Sequence, residues 1–124
     1  MSGFVLGKDG GDTYAWRGAE VQIKAPAEAT LGQLGVMEFI YPVGLAVPTH
    51  HHEGEDEMIY VLDGELHGYC NDDEWTATPG SFVFVPRDRP HSLTVVGENR
   101  ARALVITGPS VLAAQVVAGG VKLR

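Results

Sequence analysis

The stretch PTHHHEGEDEMIYVLDGEL, residues 48–66, sets three consecutive histidines and four acidic residues, Glu53, Glu55, Asp56 and Glu57, ahead of an apolar run that ends in Asp63-Gly64. In an extended chain alternate side chains share a face, so His50 and His52 project together and His51 points away. His50 and His52 thus form a chelating pair. Beyond a loop containing Gly54, Glu57 opens the next apolar strand, from which a carboxylate can swing back to the same point in space. Glu53, Glu55 and Asp56 are expected in or beside that loop, solvated.

Working outward, the 124 residues suit one domain, residues 1–124, with a real core. Hydrophobic residues are 44% and charged residues 20% of the chain, a globular balance rather than a disordered one. Sixteen acidic against nine basic residues give a net charge of −7, and the only basic grouping is the interrupted pair Arg87 and Arg89, so nucleic acid is not an expected partner. The N-terminal MSGFVLGKDGG has an apolar run of three residues and reads neither as a signal peptide nor as a membrane span; a cytoplasmic location is expected. The single cysteine, Cys70, has no thiol to pair with and reads as a half-buried strand residue.

Sixteen glycines and seven prolines punctuate short apolar runs, which predicts an all-β domain. Strands are expected near residues 14–16, 20–24, 34–41, 57–62, 65–70, 74–77, 81–85, 92–96 and 101–107. LDGEL, CNDDEW and VGENRA read as hairpin loops, and a chain of hairpins closes best as a barrel or jelly roll. PSVLAAQVVAGG predicts a short helix after Pro109 that stops at Gly119 and Gly120 and caps one barrel end.

A third nitrogen donor has one candidate. In PGSFVFVPRDRPHSLTVV, residues 79–96, His91 heads a strand after a proline-bounded loop, whereas nothing marks His67 as facing the site. At this point the chain resembles a small single-domain cupin of the quercetin dioxygenase-like kind. Gly44, His50, His52, Glu57 and Gly64 match every fixed position of the first cupin motif, residues 44–64. Gly80, Pro86 and His91 match the second, residues 80–95, in which Asp88 stands where the family usually has glycine and Val95 where it usually has asparagine. Asp tolerates the left-handed turn better than most residues, so the loop is expected to survive the change. The resemblance implies a double-stranded β-helix, or jelly-roll barrel, and four metal ligands: His50, His52, Glu57 and His91.

Three imidazoles and a carboxylate suit one divalent transition metal, Fe, Mn, Co, Ni or Zn, without choosing among them. Four protein ligands on a six-coordinate ion leave positions for substrate, and Glu57, loosened from the ion, is a candidate general base and catalytic residue. Acidification through the imidazole range, below about pH 6.5, is expected to release the ion, because only the neutral ring coordinates. Alternation sends Ile59, Val61, Leu93 and Val95 inward with the ligands, and Met37, Phe39 and Tyr41 with them, giving an apolar substrate pocket. Arg87 and Arg89 read as a solvated loop face, and Trp16 and Trp75 as packing. The expected function is a metal-dependent oxygenase, an oxidoreductase of the dioxygenase type, acting on a small, largely apolar or aromatic molecule with a metal-chelating oxygen. A non-redox isomerase, lyase or cyclase and a non-catalytic binding module are the alternatives. The resemblance also implies a homodimer, for which DTYAWRGAEVQIKAP, residues 12–26, offers a strand to a neighbouring sheet.

Overall fold

Period-two alternation is nearly perfect along Gly35–Tyr41, where Gly35, Met37, Phe39 and Tyr41 are buried and Val36, Glu38 and Ile40 turn outward. The computed structural model describes residues 2–124 and repeats that pattern in most of its strands. In chain order these are β1 (Thr13–Trp16), β2 (Ala19–Ala25), β3 (Gly35–Tyr41), β4 (Ala46–His50), β5 (Asp56–Asp63) and β6 (Glu65–Cys70). There follow β7 (Asp73–Ala77), β8 (Phe82–Val85), β9 (His91–Val96), β10 (Ala101–Gly108), the helix α1 (Val111–Gly119) and the short β11 (Val121–Lys122). Ala27–Thr30 forms a 3₁₀ turn.

The strands make two antiparallel sheets, one of seven strands in the order β11-β1-β2-β3-β10-β5-β8 and one of four in the order β4-β9-β6-β7. Their inner faces enclose a core that includes Val21, Met37, Ile59, Val61, Leu66, Val95 and Val105, each at most 3% exposed. Burying such a side chain contributes about 1.5–3 kcal/mol. The expected helix forms and lays Leu112, Ala113 and Val116 against this core. No helix among the described residues is long and apolar enough to cross a membrane.

Three expectations about connections need correction or completion. CNDDEW is a true hairpin, with Cys70 opposite Asp73. LDGEL and VGENRA are not: β5 pairs with β10 and β8 while β6 pairs with β7 and β9, so each of these loops carries the chain from one sheet to the other. A positive φ at Gly64 (76°) or Gly97 (83°) serves a sheet crossing as well as a hairpin. Residues 12–26 pair within the chain: β1 lies between β11 and β2, joined to β2 through Arg17-Gly18, and β2 continues onto β3.

Candidate metal centre

The two sheets meet at the histidines. His50 ends β4 directly opposite His91 at the head of β9, so backbone pairing alone brings two imidazoles together. His52 lies just past β4, and its ring returns to the same side; the ring centroids are 4.3 Å apart for His50 and His91, 5.0 Å for His50 and His52, and 5.2 Å for His52 and His91. One nitrogen from each ring fits within a group no wider than 4.8 Å. From β5 in the facing sheet, Glu57 brings Oε1 to 3.2 Å from His52 Nε2 and 3.4 Å from His91 Nε2. His51 is exposed and is not among the converging rings.

Each ring has an oxygen at its other nitrogen. His50 Nδ1 lies 2.8 Å from the Pro48 carbonyl, His91 Nδ1 lies 3.0 Å from the Arg89 carbonyl, and His52 Nδ1 lies 3.5 Å from Glu55 Oε1. The two carbonyls can only accept, so at His50 and His91 the proton of the neutral ring sits on Nδ1 and the Nε2 lone pair is free for the cluster. Lone pairs and a carboxylate oxygen then converge on one point, and buried His91 Nε2 and Glu57 Oε1 have no hydrogen-bond partner. Such a convergence is repulsive unless a cation sits in it, so the donor set fits a divalent transition metal, which the three histidines could hold with Glu57 beside them.

A proton on a ring offsets the Glu57 charge in the way a cation would, and the titration shifts of Glu57 and His91 follow from that pairing. Burial, assisted by the charges of His91 and His52, keeps His50 below the ordinary imidazole pKa despite its contact with Pro48. At His91 burial acts the same way, but Glu57 and the Arg89 carbonyl outweigh it and the pKa is raised. Burial alone would raise the Glu57 carboxyl, yet His52 and His91 pull it down to about 2. Glu57 is therefore an anion at neutral pH.

The donors open on a cavity of about 190 Å³. Phe39, Tyr41 and Leu93 line it, whereas Met37, Ile59, Val61 and Val95 are buried among the core side chains and do not. Alternation separates inside from outside but does not say how near an inward residue lies to the open end of the sandwich. Trp16, Leu45, Val47 and Leu112 complete the apolar wall, with Arg17 and Gln115 among the polar lining. Trp16 thus borders the site as well as packing, and Arg17 lies 4.7 Å above its ring. A wider groove of about 480 Å³ beside α1, bordered by Phe4, Leu6 and the 3₁₀ turn, contains no histidine and is separate from this chemistry.

The loop before β9 braces the histidine loop. Asp88 takes the left-handed conformation (φ 66°) in the place of the usual glycine, accepts the Gly54 N–H at 2.8 Å and donates its own N–H to the His52 carbonyl at 2.9 Å. Arg87 grips Asp56 with three hydrogen bonds, one of 2.9 Å from its backbone N–H and two of 3.2 and 3.1 Å from its guanidinium, and Arg89 is exposed. Glu53 is solvated as expected, but Glu55 is 1% exposed, a correction to its reading as a surface acid. His67 pairs with Glu74 outside the site.

The cupin domain model matches residues 37–107. The chain belongs to the cupin family. Among curated proteins this cupin is 30% identical over 89 residues to the quercetin 2,3-dioxygenase of Bacillus subtilis (strain 168); the match covers 72% of this chain and 26% of that enzyme. Among solved structures the cupin is similar to a "predicted oxalate decarboxylase" of Thermotoga maritima, with a TM-score of 0.76, 23% identity, and 86% and 99% of the two chains covered. It is also similar to KdgF from Halomonas sp., with a TM-score of 0.74, 17% identity, and 88% and 94% covered. These two likenesses concern the fold.

Proposed function

We propose that this cupin is a metal-dependent oxygenase in which His50, His52, His91 and Glu57 hold one divalent transition metal. The observation that carries the reading is the convergence of unpartnered donors at the end of a small apolar cavity; the resemblance to the B. subtilis dioxygenase over 72% of the chain supports it. A bound ion supplies positive charge to a chelating enol or catechol and so activates it toward dioxygen. The protein's part is positioning. Phe39 and Tyr41, stacked on each other with centroids 5.5 Å apart, give the cavity an aromatic side for a ring to pack on, and Leu93 and Leu112 exclude water. Burial, reinforced by the charge of Glu57, holds the Tyr41 hydroxyl protonated, so that it keeps a hydrogen to donate. Glu57 accepts a proton from substrate when it leaves the imidazoles that depress its pKa.

At about 190 Å³ the cavity is smaller than the roughly 300–1,000 Å³ of ordinary ligand pockets, which favours a one-ring substrate. With iron-, manganese-, nickel- or cobalt-loaded protein and simple catechols or enediols, turnover is expected to consume oxygen and to stop under strict anaerobiosis. Turnover that continues without oxygen would replace this reading with an isomerase, lyase or cyclase. Tight binding with the ligand released unchanged would leave a binding module.

For the partner, we propose a second copy of the chain docked on the outer face of the larger sheet. Phe82, Phe84, Tyr60 and Leu62 are 61%, 50%, 45% and 44% exposed there; Met58 continues the β5 row opposite Phe84, and Leu104 and Ile106 extend it on β10, opposite Tyr60 and Met58. With aromatic side chains presenting roughly 150–250 Å² each, the patch amounts to about 500 Å², in the upper part of the range for the largest patch on a monomer. Two such faces together bury about 1,000 Å², enough for a specific contact. Light scattering is expected to give twice 13.3 kDa, falling to one chain in Phe82→Lys/Phe84→Lys with its circular dichroism unchanged. A double variant that keeps the dimer mass would exclude this face.

A further inference from the structure

Glu55 is a carboxylate with almost no contact with water, and its two oxygens face different elements. Oε2 accepts the backbone N–H of Leu112 at 2.8 Å, in the first turn of α1. Ser110, the residue before that helix, makes no side-chain cap, so Glu55 caps the helix from 57 positions away in the chain. The pairing is electrostatically sound, because the helix N-terminus carries partial positive charge. Oε1 has no hydrogen-bond partner and lies 3.5 Å from His52 Nδ1. A shift of about 0.5 Å completes a bond of ordinary length.

His52 therefore stands between two carboxylates, Glu55 at Nδ1 and Glu57 at Nε2, 3.2 Å away. They compete for the single proton of the neutral ring. A proton on Nε2 would block the donor that faces the cluster; a proton on Nδ1 frees it. His50 and His91 have this settled by backbone carbonyls, and only His52 relies on a side chain. We infer that Glu55 is a positioning residue that holds His52 in its Nδ1–H form and ties the metal-facing ring to α1, whose Leu112 and Gln115 line the cavity. The inference rests on reading the histidine cluster as a metal centre.

Glu55→Gln separates this role from that of a plain helix cap. The Gln carbonyl oxygen keeps the bond to Leu112 N–H, while its NH₂ group turns toward Nδ1 and requires that nitrogen to accept. In metal-free protein labelled with ¹⁵N-histidine, long-range ¹H–¹⁵N spectra are expected to show His52 protonated on Nδ1 in the wild type and on Nε2 in the variant. Co(II) titration is expected to show affinity about 10–100-fold lower, the usual effect of losing a group that orients a ligand, with little change in melting temperature. An unchanged tautomer in the variant would overturn the inference whatever the affinity. A tautomer that switches in a protein whose wild type binds no Co(II) would uphold the positioning role and overturn the metal reading.

Discussion

His91→Ala will purify with its β-sheets intact and its metal gone. The ring sits at the head of β9, is 4% exposed, and presents a buried Nε2 with no protein hydrogen bond. Losing it removes one of four donors, and since a mere orienting group is worth 10–100-fold, the loss of a donor is expected to exceed about 100-fold in affinity. The fold has less at stake: β9 is held to β4 and β6 by its backbone, and deleting a buried ring costs about 3 kcal/mol, within the stability of an ordinary domain. Elemental analysis beside far-ultraviolet circular dichroism checks both halves. Wild-type protein should carry about one equivalent of a transition metal and the variant less than about a tenth of that. His51→Ala, exposed and outside the converging rings, is the control and should match the wild type. Equal metal loss in both variants would mean that the phase of the segment 50–52 is the reverse of the one described.

What could be read from the sequence followed from physics with a short range. Alternation marked the inward faces of β3, β5 and β9, and the spacing of His50, His52 and Glu57 placed three of the site's four side chains before any tertiary contact was known. What could not be read depended on partners far along the chain. Glu55 looks like one of four interchangeable acids, yet its partner is the Leu112 backbone. Trp16 borders the cavity because the β1–β2 hairpin joins the sheet beside β3, a placement without a local signal. The segment 50–52 was legible as an extended pair of ligands, but β4, which ends at His50, was not legible as a strand, since it contains Pro48; the edge of the smaller sheet, where it lies, tolerates a residue with no N–H. The sheet crossings were hidden for a related reason, as a turn sequence specifies the bend and not the sheet that the next strand enters.

Gly64 makes that last point measurable. Gly64→Ala is expected to destabilise the protein by about 3–5 kcal/mol, and Gly80→Ala by about 1–2 kcal/mol, although both glycines are fixed positions of the cupin motifs and both have positive φ, 76° and 91°. The backbone penalty is common to the two. The difference lies in what an added Cβ meets: at Gly80 there is nothing within 4 Å, whereas at Gly64 it would overlap the carbonyl oxygen of Arg100 and lie 2.7 Å from Ala101 Cα. Arg100 and Ala101 are where the chain re-enters the larger sheet to start β10, so two sheet crossings, at 63–65 and 97–100, pass each other here with no room for a methyl group. Relief requires moving the start of β10, which pairs with both β3 and β5. For a domain of this size the loss corresponds to a fall in Tm of roughly 10–20 °C, read in the same thermal melts as a fall of about 5 °C for Gly80→Ala. Equal shifts would mean that the crossing yields and that φ alone decides. Unequal shifts would show that the glycine of the Asp63-Gly64 turn is required by the close approach of two loops, a demand that a hairpin turn does not make.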